Sequence, residues 1–157
     1  MDIADEIAAE LADEWLPNIY REKIRSQRTR SIAIAVPAKL NIAEIQYTLL
    51  GIELKVGKTR FACPDLATAR YMRVFARIGC GEFAIPYDIT KISTAADELE
   101  TSWQRSLLLL DEIAKGSSPR SIATQRARLT KTIRSELVEI GPGDAMPAFD
   151  RETRQRS

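Results

Sequence analysis

Residues 40–51 read Leu40-Asn41-Ile42-Ala43-Glu44-Ile45-Gln46-Tyr47-Thr48-Leu49-Leu50-Gly51, and the fold turns on whether they form a helix or a strand. Asn41 is a good N-cap, and Glu44 follows at the capping-box spacing. Leu40 and Ile45 stand where a hydrophobic staple would, and Gly51 suits the position just past a helix end. These signals predict a short helix over 42–50. The competing pattern is the alternation of Ile45, Tyr47 and Leu49, which has the period of a strand.

Working outward, 31–36 (Ser31-Ile32-Ala33-Ile34-Ala35-Val36) alternates large and small residues and reads as a strand ended by Pro37. Residues 52–56 alternate strictly, Gly57-Lys58 makes a turn, and 59–63 continues, which is a β-hairpin. Asp65 caps a predicted helix over 66–78, stopped by Gly79, and 82–86 is a further strand. With a helix at 42–50 the order within about 31–87 is βαββαβ, the order of ferredoxin-like folds, so the expected class is α+β. In such a sheet Ile32, Ile34, Val36, Ile52, Leu54, Val56, Phe83 and Ile85 would share the core face. Ala33, Ala35, Glu53, Lys55, Arg60, Ala62, Glu82 and Ala84 would share the other, under a covering helix. RNA-binding sheets of this class expose aromatics to stack bases. Alanine and charge stand there instead.

An amphipathic helix is expected over 2–16, carrying Ile3, Ile7, Leu11 and Trp15 and interrupted by Pro17. A second helical piece and a basic run, Arg21 to Arg30, follow it. Two helices are expected after the core. One runs from 93 to about 115 with a heptad-like seam of Ile92, Ala96, Leu99, Trp103, Leu107, Leu110 and Ala114. The other runs from Pro119, capped by Ser118, to about 140. Residues 1–140 are thus expected to form one domain, and 141–157, rich in Gly, Pro and charge, a disordered tail.

Composition narrows the chemistry. The 157 residues include no histidine, which removes Ser-His-Asp and Cys-His catalysis and every His-ligated metal site. Cys63 and Cys80 are too few for a closed zinc site, and opposite strand ends put them out of reach of a disulfide; buried thiols are expected. Acids (22) and bases (23) balance, so any nucleic-acid binding needs a local patch. The start of the chain carries no signal-peptide pattern and no run suits a membrane span, so the expected location is cytoplasmic, with no membrane partner. No cofactor and no metal are expected. Gly57-Lys58-Thr59 is not a phosphate loop, because Ile52 occupies the place of its first glycine.

Three groups of residues remain as candidates. Arg70, Arg73 and Arg77 share one helix face, and with Lys55, Lys58 and Arg60 they would make a phosphate-binding strip for nucleic acid. Leu107, Leu108, Leu109 and Leu110 span most of a helix circumference. With Leu99 and Trp103 they are expected to form a homo-oligomer interface, a dimer above all. Glu53-Leu54-Lys55 resembles the E-x-K signature of PD-(D/E)xK nucleases. That resemblance implies a divalent metal held by Glu53 with an upstream acid, Glu44, and water activated beside Lys55. The leading expectation is a non-catalytic association protein; the alternative is that nuclease.

Overall fold

The computed structural model describes residues 2–37 and 42–143. The N-terminal arm holds α1 (Ile3–Leu11), a tight turn over Ala12–Glu14, and α2 (Leu16–Ile19), which runs on through Tyr20–Ile24. Two small antiparallel sheets follow. β1 (Thr29–Ala33) pairs only with β5 (Glu82–Pro86), while β2 (Ala43–Thr48), β3 (Gly51–Val56) and β4 (Thr59–Cys63) form a meander. Between β4 and β5 lies α3 (Leu66–Ile78); α4 (Ile92–Ile113) and α5 (Pro119–Ile140) complete the chain.

Residues 43–48 are a strand, which corrects the helix expected over 42–50. Ala43 to Thr48 pairs residue for residue with Val56 to Gly51. A helix there would bury one narrow stripe. The strand instead lays Ala43 and Ile45 beside Leu54 and Val56 under α3. Tertiary burial outweighs the capping signal of Asn41, a residue that, like Leu40, lies outside the described ones. The ferredoxin-like βαββαβ order is therefore not what the chain adopts. The class is α+β, and the described strands form two sheets in place of the expected single sheet with one alanine-rich face. Ala33, Ala35 and Ala62 are exposed, whereas Ala84 is buried. β1 also starts two residues earlier than expected, leaving Ile34 to Pro37 extended beside Gly81.

Other local readings hold. Asp65 caps α3 through Thr68 N–H (2.7 Å), and Gly79 ends it at φ 87° in the left-handed region. Ser118 caps α5 through Ser121 N–H (3.1 Å), with Pro119 at the first helical position. Pro17 opens α2 rather than ending α1. The break comes at Ala12, which takes φ 50° and ψ −113°.

A single core ties the layers together. Phe75 stacks on Phe83 (4.2 Å between centroids) and meets Tyr71 and Tyr20 edge-on or tilted. The Ile34 to Gly81 and Tyr87 to Arg28 backbone bonds fix the phase of the β1–β5 ladder, so Ala84 points its peptide groups away from β1. Tyrosines occupy that edge. Tyr20 Oη accepts from Ala84 N–H (2.9 Å), and Tyr71 Oη donates to Ala84 C=O (2.6 Å). Tyr20 Oη also donates to Gly141 C=O (2.6 Å), so the chain just past α5 is fastened to the core. The expected tail beyond it, 144–157, lies outside the described residues. Cys63 and Cys80 are free and buried. Among the described residues no helix is long and apolar enough to cross a membrane.

Candidate functional site

Residues opposite one another across the meander share a face. Glu44 stands opposite Lys55, and Lys55 opposite Arg60; Gln46, Glu53 and Ala62 form the next row. α3 covers the other face through Leu54 and Val56, so this polar face is turned to solvent. The structure thus brings Glu44, Glu53 and Lys55 together on one surface, with Glu44 on a strand. Glu53 is held 3.9 Å from the Arg60 guanidinium, with 18% of its side chain exposed. Its Oε2 is enclosed without a hydrogen-bond partner. Among the described residues no group of three or more acids, cysteines or histidines is arranged to hold a metal ion.

Two arginines of the expected phosphate strip are paired with acids of α4. Arg70 reaches Asp97 and Glu100 on α4, its Nε lying 3.1 Å from Glu100 Oε1, and Arg73 Nη2 donates to Glu100 Oε2 (2.8 Å). Hydrogen bonds donated by Arg70 to Glu100 and then to Asp97 raise its pKa further. These arginines clamp α3 to α4, so their charge is spent inside the fold. Lys55 and Arg60 lie beyond the sheet from them, and Lys58 sits in the β3–β4 turn. The basic run 21–30 is dispersed as well: Lys23 pairs with Glu98 (3.0 Å) and Arg28 stacks on Tyr87.

Arg77 has a different setting. It joins Arg126 and Thr130 of α5, Trp103 and Leu107 of α4, and Ile42 and Glu44 in one cleft of about 470 Å³. Burial lowers the Arg77 pKa first, then repulsion from Arg73; Glu100 and Glu44 oppose both. Sequence reasoning missed Arg126. No spacing within α5 marks it. The cleft exists because α5 crosses the end of α3, where Arg134 Nη1 donates to Ile78 C=O (3.1 Å).

The leucine-rich surface of α4 is largely internal. Leu99, Trp103 and Leu110 are buried, and Leu107 and Leu109 pack against the core. These five make contacts within the chain. Leu108 alone of the group is mostly exposed, at 67%. The larger uncovered apolar surface is the β2–β3 hairpin tip. Leu49 and Leu50 stand fully in solvent and Tyr47 is 71% exposed; at the other end of β2, Ile42 is more than half exposed. The signal that could have found them is the alternation of Ile45, Tyr47 and Leu49.

The β2 edge beside this tip is open. Gly57 N–H bonds Ile42 C=O (3.4 Å), so even-numbered positions face β3 and the peptide groups of Ile45 and Tyr47 face outward; Ala43 has the same phase but is buried beside α4 and α5. Compared with known proteins, the chain matches no family model, no curated protein and no solved structure.

Proposed function

We propose that this chain is a non-catalytic, cytoplasmic association protein that pairs with a second copy of itself through the β2 edge and the β2–β3 hairpin tip. The observation that carries this reading is the exposure of Tyr47, Leu49 and Leu50 beside outward-facing peptide groups. An unpaired strand edge is a template for another strand, and antiparallel pairing about a two-fold axis is self-complementary. With Tyr47 opposite Tyr47 of the second copy, Ile45 of each copy meets Leu49 of the other. Burying an exposed side chain of this size is worth about 1.5–3 kcal/mol. The four side chains this register places together, Tyr47 and Leu49 of each copy, give roughly 6–12 kcal/mol gross, against an association cost of roughly 4–15 kcal/mol. Glutamate at 49 removes about half of that gain, and at 50 it adds a charge opposite Glu44 of the second copy.

The test is light scattering at tens of micromolar. The wild type is expected to weigh as a dimer, and Leu49→Glu with Leu50→Glu as a folded monomer. A wild-type monomer, or a double variant that stays dimeric, refutes the reading.

One observation favours a second reading, a metal-dependent nuclease resembling the PD-(D/E)xK type. Glu44 lies on the same sheet face as Glu53 and Lys55, directly across from the lysine, and Glu53 Oε2 has no hydrogen-bond partner. A divalent cation between the two carboxylates would satisfy that oxygen, and Lys55 would stand beside the metal-bound water. Magnesium-dependent cleavage of plasmid DNA that is lost in Glu53→Gln and with EDTA supports it. Its absence at high enzyme concentration removes it.

A further inference from the structure

The two ends of β2 differ. At its start Ala43 is buried beside the cleft that α4 and α5 wall. At its far end the hairpin tip overhangs the fold, leaving Tyr47, Leu49 and Leu50 uncovered. β3 occupies one edge of β2. The described residues that line the cleft come from the start of β2 and from α3, α4 and α5, and none comes from β3. The cleft therefore opens on the other edge of β2, the one left unpaired.

Antiparallel pairing about a two-fold axis sets the bare end of one strand beside the walled end of the other. With Tyr47 opposite Tyr47, Leu49 of the second copy falls opposite Ile45, and its Gly51 opposite Ala43. Directly opposite residues share a face, and Ala43 and Ile45 lie on the face that packs on α3. Leu49 of the second copy is therefore directed to the helical layer, at the end where α4 and α5 stand. Gly51 brings no side chain to Ala43, the most enclosed position. The chemistry agrees with this placement. From Tyr47 to Ile52 the tip carries no charged side chain, and the cleft, about 470 Å³, presents Ile42, Leu107 and the edge of Trp103. The charged residues that also line it, Glu44, Arg77 and Arg126, are all exposed, so their charged ends can stay in water when it is filled.

We infer that the cleft between β2, α4 and α5 is the seat of the hairpin tip of a second copy of this chain, with Leu49 against its apolar wall and each copy seating the tip of the other. The inference rests on the self-association proposed above and adds a receptor to it. Strand pairing alone would leave the tip in solvent on one side. Seating the tip buries the apolar surface that a lone chain exposes.

Cross-linking of the full chain tests the seat and the strand edge separately. Leu49→Cys and Gln104→Cys are made in separate chains and mixed at tens of micromolar with a short bismaleimide. One thiol is then on the exposed tip and the other on the exposed wall of the cleft. Cys63 and Cys80 are buried and give little background. The mixture is expected to yield a covalent dimer beyond what either variant yields alone. Tyr47→Cys, which faces itself across the two-fold axis, is expected to link to its own copy. Linkage through Tyr47→Cys without linkage in the mixture overturns the seat and leaves the edge pairing standing. A wild type that light scattering weighs as a monomer removes both. Trp103 emission in a Trp15→Phe background reads the seat with the tip intact. It should shift as the chain is diluted, and Leu49→Glu with Leu50→Glu should show the diluted spectrum at every concentration. A dimer whose Trp103 emission matches that of the double variant also overturns the seat.

Discussion

Replacing Tyr20 by phenylalanine probes the junction on which the N-terminal arm, β5 and the end of α5 converge. The ring is retained, so packing against Phe75 should survive. Only the hydroxyl is lost, and with it the bond from Ala84 N–H and the bond to Gly141 C=O. Ala84 is fully buried, so its N–H is left unpaired away from water, at a cost of about 1–3 kcal/mol. The Gly141 carbonyl is half-exposed and is rehydrated at little cost. Urea unfolding should therefore give a loss of about 1–3 kcal/mol with an unchanged slope. The same hydroxyl predicts a pH dependence. Burial pushes the Tyr20 pKa up from 10.0 to about 12, so the folded state keeps a proton that the unfolded chain loses near pH 10. Stability is full below pH 10 and falls between pH 10 and pH 12, by about 2–3 kcal/mol from Tyr20. Tyr71, raised well above its usual value by burial, adds a loss of the same sign. Tyr20→Phe should flatten the part of the alkaline decline due to Tyr20. A variant within about 0.5 kcal/mol of wild type, with the same alkaline slope, would refute this account of the β5 edge.

Four further outcomes are expected. Truncation after Ile140 removes the Gly141 acceptor and should lower Tm by about 2–4 °C, as scanning calorimetry would read. Glu100→Ala strips Arg70 and Arg73 of their shared partner, and chemical denaturation should record a loss of about 1–2 kcal/mol. Ala12→Gly relieves a non-glycine residue held at φ 50°, and should raise stability by about 1 kcal/mol in the same assay. Leu110→Ala should cost about 2–5 kcal/mol and Leu108→Ala less than about 0.5 kcal/mol, since one is in the core and the other in solvent.

How far the sequence could be read depended on whether a signal was local. Asp65, Gly79, Ser118 and Pro119 act within one turn of their own helix, and all four stand where they were expected. The seam of α4 was also legible, because heptad spacing states that a stripe is buried. It does not state against what, and within the chain the stripe meets α1, α2 and α3. Residues 42–50 held two conflicting local signals of similar strength. The conflict is settled by β3, whose Lys55 and Glu53 pair with Glu44 and Gln46. Cross-strand burial of Ala43 and Ile45 is a tertiary effect that no capping pattern can report.

The candidate sites follow the same rule with a sharper consequence. Arg70, Arg73 and Arg77 are equivalent by helical spacing, and spacing alone made them one strip. What separates them is α4: Glu100 stands beside the first two, while the third lies one turn beyond, where α4 presents Trp103 and Leu107 instead of acids. Asp97, Glu100 and Gln104 succeed one another along α4 at three- and four-residue spacing. A face that is acidic for one turn and uncharged for the next assigns two arginines to structure and leaves one to the cleft. The charge that matters for a ligand is therefore not how many basic residues share a face. It is which of them the opposing element leaves unneutralised, and that is written in α4 and α5 rather than in the helix that carries the arginines.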